Sequence, residues 1–219
     1  MNRFRLIAIR ECRVLTSMGW AILSMVVSAV TVLFVLFIYP FLAPTHPIDG
    51  EVLVVEGWLP DYALEKVKDR FQGGNYKLLI TTGGNLTIGH HLSKHKTWAE
   101  VAASTLYAQG VPLEKIILAP TITTSRKDRT YDTALVVKKS LSEKGFNQAS
   151  IDVISLGAHS RRTWFMFKKV FSSEDVGIIT LAPKDYDINR WWLSSAGVRD
   201  VISEVIAYLY VRLIFSSLI

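Results

Sequence analysis

Basic and histidine side chains follow the apolar run at residues 151–156, and of all residues in the chain they are the best suited to chemistry. The run has the composition of a buried strand, and it leads into His159, Arg161 and Arg162. A histidine exchanges protons near neutral pH, and a planar guanidinium binds an oxyanion through two hydrogen bonds. In an open parallel sheet, ligands bind beyond the carboxyl ends of the strands. We therefore predict that His159 is a catalytic acid or base and that Arg161 and Arg162 bind an anion.

A second basic group lies directly before a helix predicted at residues 131–144. It comprises Arg126, Asp128, Arg129 and Thr130. We predict Thr130 as the N-cap, so that the first turn of the helix presents free N–H groups and a partial positive charge to an anion. With the two arginines beside it, this helix start suits a phosphate or a carboxylate. The alternative is that Thr130 only caps the helix and the arginines belong to a solvated loop.

Two further turns with polar or glycine residues follow predicted strands. The first comprises Glu56, Gly57 and Trp58, and the second comprises Gly83 and Gly84. Glu56 could act as a second catalytic carboxylate and Trp58 as a stacking wall, whereas paired glycines permit close approach of the backbone to a ligand. The alternative for the first turn is structural, with Asp61 capping the next helix and Trp58 in the core.

Several familiar chemistries have no support in the sequence. His90, His91 and His95 have no nearby carboxylate and no clear periodicity, so we predict no metal site. A nucleophile elbow, a Walker loop and a dinucleotide fingerprint are all absent. The sequence therefore names no cofactor, shows no standard covalent mechanism and leaves open whether the chain is an enzyme. We expect the Trp191–Trp192 pair in the core or at a membrane surface rather than in a sugar site.

Strand and helix patterns alternate after residue 50. Strands are predicted at 51–55, 77–82, 116–119, 151–156 and 177–181, and helices at 61–72, 98–109, 131–144 and 162–171. This alternation predicts an α/β domain at residues 51–219 with a doubly wound, mainly parallel, Rossmann-like sheet. The apolar run at 198–219 predicts a further helix. Glu204 and Arg212 make its insertion into a membrane costly, so we expect it to pack on the sheet, where its last turn could touch the membrane surface.

An uncharged apolar run at residues 20–41 is long enough to span a bilayer, which takes about 20 such residues. It is longer than the core of a secretory signal, so we predict an uncleaved, single-pass anchor. The arginines before it place the N-terminus in the cytoplasm and the following domain outside it. The predicted organisation is a basic cytoplasmic segment at 1–17, a transmembrane helix at 18–43, a linker at 44–50 and the α/β domain, with the lipid bilayer as a partner.

Cysteine usage and charge narrow the possibilities for the exported domain. The only cysteine, Cys12, precedes the anchor, so the domain has neither a disulfide nor a thiol nucleophile. The net charge of +6 is scattered rather than gathered in a stripe, which argues against nucleic-acid binding.

Taken together, the motifs resemble the ElyC/SanA/YdcF family of bacterial envelope proteins, whose shared domain is of unknown function. The resemblance rests on VVEGWLP at 54–60, TTGG at 81–84, GVP at 110–112, DRTY at 128–131, His159 with Arg162, and WW at 191–192 followed by Glu204. It implies an α/β domain outside the inner membrane on one N-terminal helix, with a link to peptidoglycan assembly. It also implies functional roles for His159 and Arg162 and for the loop at 128–130. The chain departs from the commoner family pattern at 56–58, where that pattern has a glycine-rich turn.

Two functions agree with these features. The first is binding or processing of an anionic, phosphorylated envelope precursor, which could be lipid-linked. The second is a non-catalytic, membrane-tethered scaffold for cell-wall assembly proteins. A weaker third possibility, binding of S-adenosylmethionine, is implied only by the family resemblance.

Overall fold

The computed structural model of the protein describes residues 13–89, 91–122 and 128–215. The predicted site residue Arg126 lies outside the described residues, as do His90, Cys12, the arginines at 3, 5 and 10, and residues 216–219.

The first helix, α1, spans Ser17–Leu42. It carries no charged side chain and is long and apolar enough to cross a membrane, which agrees with the predicted anchor. Contacts divide the chain into two compact units, one ending at Phe37 and the other beginning at Ile38. The last residues of α1 therefore belong to the second unit, in which Tyr39 and Leu42 are buried.

The second unit contains a five-stranded, all-parallel sheet with the strand order β3-β2-β1-β4-β5. The strands are β1 (Val52–Glu56), β2 (Leu78–Gly83), β3 (Ile116–Pro120), β4 (Ile151–Leu156) and β5 (Val176–Leu181). The helices are α2 (Asp61–Gly73), α3 (Trp98–Ala108), α4 (Arg129–Glu143), α5 (Ser160–Val170) and α6 (Ser195–Leu213). The predicted fold class is confirmed, and the predicted strand bounds differ from the observed ones by at most one residue.

Strand β1 shows how the sequence produces this layered core. Its residues are buried on both faces: Val52 and Val54 face one apolar cluster, and Leu53 and Val55 face another. Helices α4 and α5 contribute to the first cluster, and α2 and α3 contribute to the second. Since β1 and β4 are neighbours and the chain leaves them in opposite directions, a crevice opens between their carboxyl ends.

Helix α6 differs from expectation. We predicted that it packs on the sheet, but its main contacts are with α5 and with the short helical turns Gly157–His159 and Ile188–Leu193. This position of α6 follows from Glu204 on its inward face. The Glu204 carboxylate bonds to His159 and Arg162, which lie beyond the end of β4, and an apolar sheet face would offer it no such partners. Of the tryptophan pair in the second of these turns, Trp191 lies in the core as expected and Trp192 is 37% exposed.

The segment predicted as a linker at residues 44–50 is fixed to the domain. His46 forms an antiparallel bridge with Ile178. The fully buried Asp152 carboxylate accepts hydrogen bonds from Ile48 N (2.9 Å), Gly50 N (3.2 Å) and the Tyr76 hydroxyl (2.8 Å). One carboxylate thus joins this segment to β4.

Replacing Asp152 with alanine should lower the free energy of unfolding by about 3 kcal/mol, because two buried donors and one partly buried donor lose their acceptor. The measurement is chemical denaturation of the full chain in detergent, followed by circular dichroism. Asp185→Ala is the matched control, since Asp185 is exposed. Equal stability of the two variants would show that Asp152 does not hold the segment.

Candidate functional site

A cavity of about 590 Å³ lies at the carboxyl edge of the sheet. Its described wall combines residues that follow four of the strands with residues of α6. The lining residues are Glu56, Trp58, Thr82, Gly83, Gly84, Trp98, Asp128, Arg129, Thr130, Thr133, His159, Arg162, Glu204, Ala207, Tyr210 and Val211. The predicted convergence of the polar turns is therefore observed for the turns after β1, β2 and β4 and for the start of α4.

His159 lies between two carboxylates. Its Nε2 is 3.2 Å from Oε1 of Glu56, and its Nδ1 is 3.0 Å from Oε1 of Glu204. The His159 ring also packs edge to face on Trp58, with ring centroids 5.4 Å apart. Both ring nitrogens therefore face a carboxylate, and the two carboxylates favour the doubly protonated imidazolium. The guanidinium of Arg162 opposes it, because its Nη2 also lies 2.9 Å from Nδ1.

Glu56 is fixed by three donors at the end of β1. Its Oε2 accepts from the Ser155 hydroxyl at 2.5 Å, and its Oε1 accepts from the Thr163 hydroxyl at 3.1 Å as well as from His159. The side chain is only 8% exposed. With three of its roughly four acceptor sites occupied, Glu56 is suited to orienting His159 rather than to acting as a base towards a ligand.

Arg162 holds the second carboxylate with two donors. Its Nε and Nη2 donate to Glu204 at 2.8 and 2.9 Å, and its Nη1 donates to the Thr130 hydroxyl at 3.3 Å. This paired geometry is the strong form of an arginine–carboxylate interaction. It links α5, α6 and the start of α4 in one network around His159.

The network shifts the protonation equilibria of its members. Burial by itself lowers the pKa of His159, but the carboxylates of Glu56 and Glu204 outweigh this effect and raise that pKa to about 9. Burial raises the pKa of Glu204, but hydrogen bonds from His159 and Arg162 outweigh it and lower that pKa to about 2. At neutral pH the site therefore holds an imidazolium between two acidic side chains, with Arg162 paired to the second of them.

The start of α4 corrects one prediction. Asp128, not Thr130, is the N-cap, and its Oδ1 accepts from the backbone N–H groups of Thr130 and Tyr131, both at 3.1 Å. These N–H groups are already bonded to a carboxylate, so the helix start does not offer them to an anion. Arg129 is exposed, and its guanidinium has no hydrogen-bond or ion-pair partner among the described residues. It is therefore the cation of this wall most accessible to a ligand.

The two adjacent arginines of α5 point to different places. Arg162 lines the cavity, whereas the guanidinium of Arg161 lies over the Phe41 ring, 4.1 Å from its centroid, and donates to the Phe41 carbonyl. Successive helical residues are rotated by about 100°, so one basic pair cannot point both side chains into one cavity. The structure does not bring Arg161 to the predicted site.

The glycines also separate into two roles. Gly57 is buried, and a Cβ there would lie 2.2 Å from the carbonyl oxygen of Thr82, so this glycine permits close packing behind the cavity wall. Gly83 and Gly84 line the cavity, and Gly83 has a φ of +129° that disfavours other residues. Trp58 is 40% exposed and α2 has Pro60 as its N-cap, so the structural alternative for that turn was wrong.

Sequence reasoning did not assign Glu204, Ser155 or Thr163 to the site. Glu204 carried a signal, since a carboxylate within an apolar helix is costly unless it is paired. Ser155 interrupts an otherwise apolar strand beside Glu56. Within the described part of the chain, no cluster of three histidine, cysteine or acidic residues has a metal-binding arrangement.

A scan against models of protein families found no match for the chain, and a search of curated proteins found none either. The resemblance noted above therefore rests on short motifs, and those motifs supply much of the cavity wall, including Glu56, Gly83, Asp128, His159 and Glu204.

Proposed function

We propose that this chain is a membrane-anchored protein of the bacterial cell envelope that binds an anionic, phosphorylated ligand in the cavity and transfers a proton to it. The observation that carries the proposal is the position of His159, held between Glu56 and Glu204 on the wall of the cavity. The α1 anchor, the arginines before it and the resemblance to envelope proteins support a location at the inner membrane, with the domain outside the cytoplasm.

A purely structural role is a poor account of this network. The desolvation penalty of a buried ion pair cancels much of its Coulombic attraction, and apolar residues of the same volume often stabilise a fold as well or better. Charged groups with shifted pKa values that line a cleft are more typical of functional sites. His159, with its pKa raised to about 9, stays protonated at neutral pH and suits the role of general acid.

The charges on the wall favour an anion that competes with Glu204. Arg129 is unpaired among the described residues, while Arg162 is paired with Glu204. A phosphate carries up to about two negative charges and accepts several hydrogen bonds, so it can replace the single carboxylate on Arg162. Displacement of Glu204 would also free the Nδ1–H of His159 to donate to an oxygen of the ligand.

Other residues of the cavity wall suit an apolar portion of the ligand. Ala207, Tyr210 and Val211 of α6 line the cavity together with Trp58 and Trp98. A ligand with a phosphorylated head and a hydrocarbon portion would match both parts, which favours a lipid-linked envelope precursor.

The test compares the two adjacent arginines. Inorganic pyrophosphate and a short prenyl diphosphate are added to the purified full chain in detergent, and the thermal unfolding midpoint is recorded. A ligand at about 100 times its Kd stabilises the folded state by about 2.7 kcal/mol. We expect both probes to stabilise the wild type and Arg161→Ala, with the effect much reduced in Arg162→Ala and Arg129→Ala.

Each variant is compared with itself in the absence of probe, since Arg162→Ala also removes a structural ion pair. Equal stabilisation of Arg162→Ala and the wild type would contradict the proposed anion site. If neither probe stabilises any well-folded form, the result would favour the alternative function, a membrane-tethered scaffold for cell-wall assembly proteins. Crosslinking of partner proteins would then be the test.

A further inference from the structure

The outer face of α6 is an exposed apolar stripe. Its members recur at helical spacing on the side of the helix opposite Glu204: Val198, Ile202, Ile206, Leu209 and Leu213. Their exposure ranges from 37% at Ile202 to 69% at Leu213. The stripe covers four turns of helix, and contiguous apolar surface of this kind marks an interaction site rather than an ordinary water-facing helix.

The stripe borders the place where the chain enters this unit from α1. Tyr208 of α6 packs edge to face on Phe41, with ring centroids 5.5 Å apart, and Phe41 is the penultimate residue of α1. Phe165 of α5 also packs edge to face with Tyr208, with ring centroids 6.1 Å apart. If α1 spans the bilayer, this aromatic group lies within a few residues of the membrane surface.

Basic side chains lie over these aromatic rings. Arg161 is over Phe41, and Lys169 and Arg212 are over Phe165, at 4.1, 5.5 and 5.3 Å from the ring centroids. Aromatic rings with Lys and Arg beside them are typical of protein surfaces at the headgroup level, where the cations meet anionic lipids. The positive charge beside the stripe therefore complements the negative charge of anionic lipids.

We propose that the outer face of α6 contacts the interfacial layer of the membrane that α1 spans. The inference depends on α1 spanning the membrane but not on the proposed ligand. It gives Arg161 a role as a headgroup contact, and it explains the direction of its side chain. It also places the α6 wall of the cavity beside the lipid phase.

The test uses single cysteines in a Cys12→Ser form of the full chain. Ile206→Cys and Leu209→Cys are labelled with the environment-sensitive dye NBD, and the chain is reconstituted into phosphatidylethanolamine–phosphatidylglycerol vesicles. Leu113→Cys is the matched control, because Leu113 is 60% exposed and precedes β3 at the opposite edge of the sheet. Flotation of the vesicles with the protein confirms that the reconstituted chain is associated with the membrane.

We expect NBD at 206 and 209 to emit at shorter wavelength and to lose most of its emission when nitroxide-labelled lipids are included, while NBD at 113 does neither. Vesicle-inserted protein whose 206 and 209 labels resist lipid quenching would overturn the proposal. A blue shift without lipid quenching would also overturn it, since the stripe would then be covered by protein, such as a second copy of this chain.

Discussion

Replacing His159 with asparagine should lower the rate at which water hydrolyses a prenyl diphosphate by about 10²- to 10⁴-fold, the usual contribution of a general acid. In the proposed reaction water attacks the terminal phosphorus, the bridging P–O bond breaks, and His159 protonates the oxygen of the departing prenyl phosphate. Asparagine retains hydrogen-bonding capacity between Glu56 and Glu204 but has no proton to transfer at neutral pH. The measurement is release of inorganic phosphate by the purified full chain under saturating probe.

The control for this variant is His46→Asn. His46 stacks on Trp164, with ring centroids 5.2 Å apart, and does not line the cavity. It should therefore keep the rate of the wild type. If His159→Asn folds normally and retains that rate within about threefold, well short of a general acid's contribution, proton transfer by His159 is excluded.

The pH dependence of the same rate reports on Glu56 as a positioning residue. The rate of the wild type should fall as the pH rises through about 9, where His159 loses its proton. Glu56→Gln removes one of the two carboxylates that raise the pKa of His159, so this alkaline fall should move to lower pH. A purely structural role for Glu56 would lower the rate without moving the fall.

The stability of the protein should be greatest between about pH 4.5 and 6.5 and should decline on both sides. The pKa of Glu204 is lowered from 4.5 to about 2, so its contribution is present above 4.5 and is lost as the pH falls towards 2. The pKa of His159 is raised from 6.5 to about 9, so its contribution is present below 6.5 and is lost as the pH rises towards 9. Each decline amounts to about 3 kcal/mol, since one pKa unit corresponds to 1.36 kcal/mol.

These two contributions share the hydrogen bond between Glu204 and His159, so one substitution affects both. Glu204→Gln should flatten the acid decline and weaken the alkaline one, and it should cost about 3–5 kcal/mol at pH 6 because Arg162 loses its partner. Urea denaturation across the pH range gives these free energies. Glu174→Gln, at an exposed position, is the matched control. Parallel pH profiles for Glu204→Gln and the wild type would show that Glu204 does not carry the acid dependence.

The sequence alone was sufficient to predict that Glu56, Gly83, Arg129 and His159 lie together. The reason is topological: each residue follows a strand or starts the next helix, and the carboxyl ends of parallel strands share one edge of the sheet. The apolar runs at the strands were unambiguous enough to fix that edge.

The rest depended on packing that sequence patterns do not specify. Glu204 lies far along the chain from His159, and only the docking of α6 on α5 brings the two together. Arg161 and Arg162 are equivalent in sequence, but the rotation of α5 sends one to Phe41 and the other to the cavity. The exchange of Thr130 for Asp128 as the N-cap is a two-residue shift in a helix start, which is the least predictable part of an element.

The central claim is most directly tested by NMR of the full chain with ¹⁵N-labelled histidine, in which the His159 signals are assigned by their loss in His159→Asn. We expect both ring nitrogens of His159 to be protonated near neutral pH and added pyrophosphate to shift their signals saturably, while the His46 signals stay constant. The shift should persist in Arg161→Ala and vanish in Arg162→Ala. A neutral His159 ring, or signals that neither pyrophosphate nor a prenyl diphosphate changes, would contradict it.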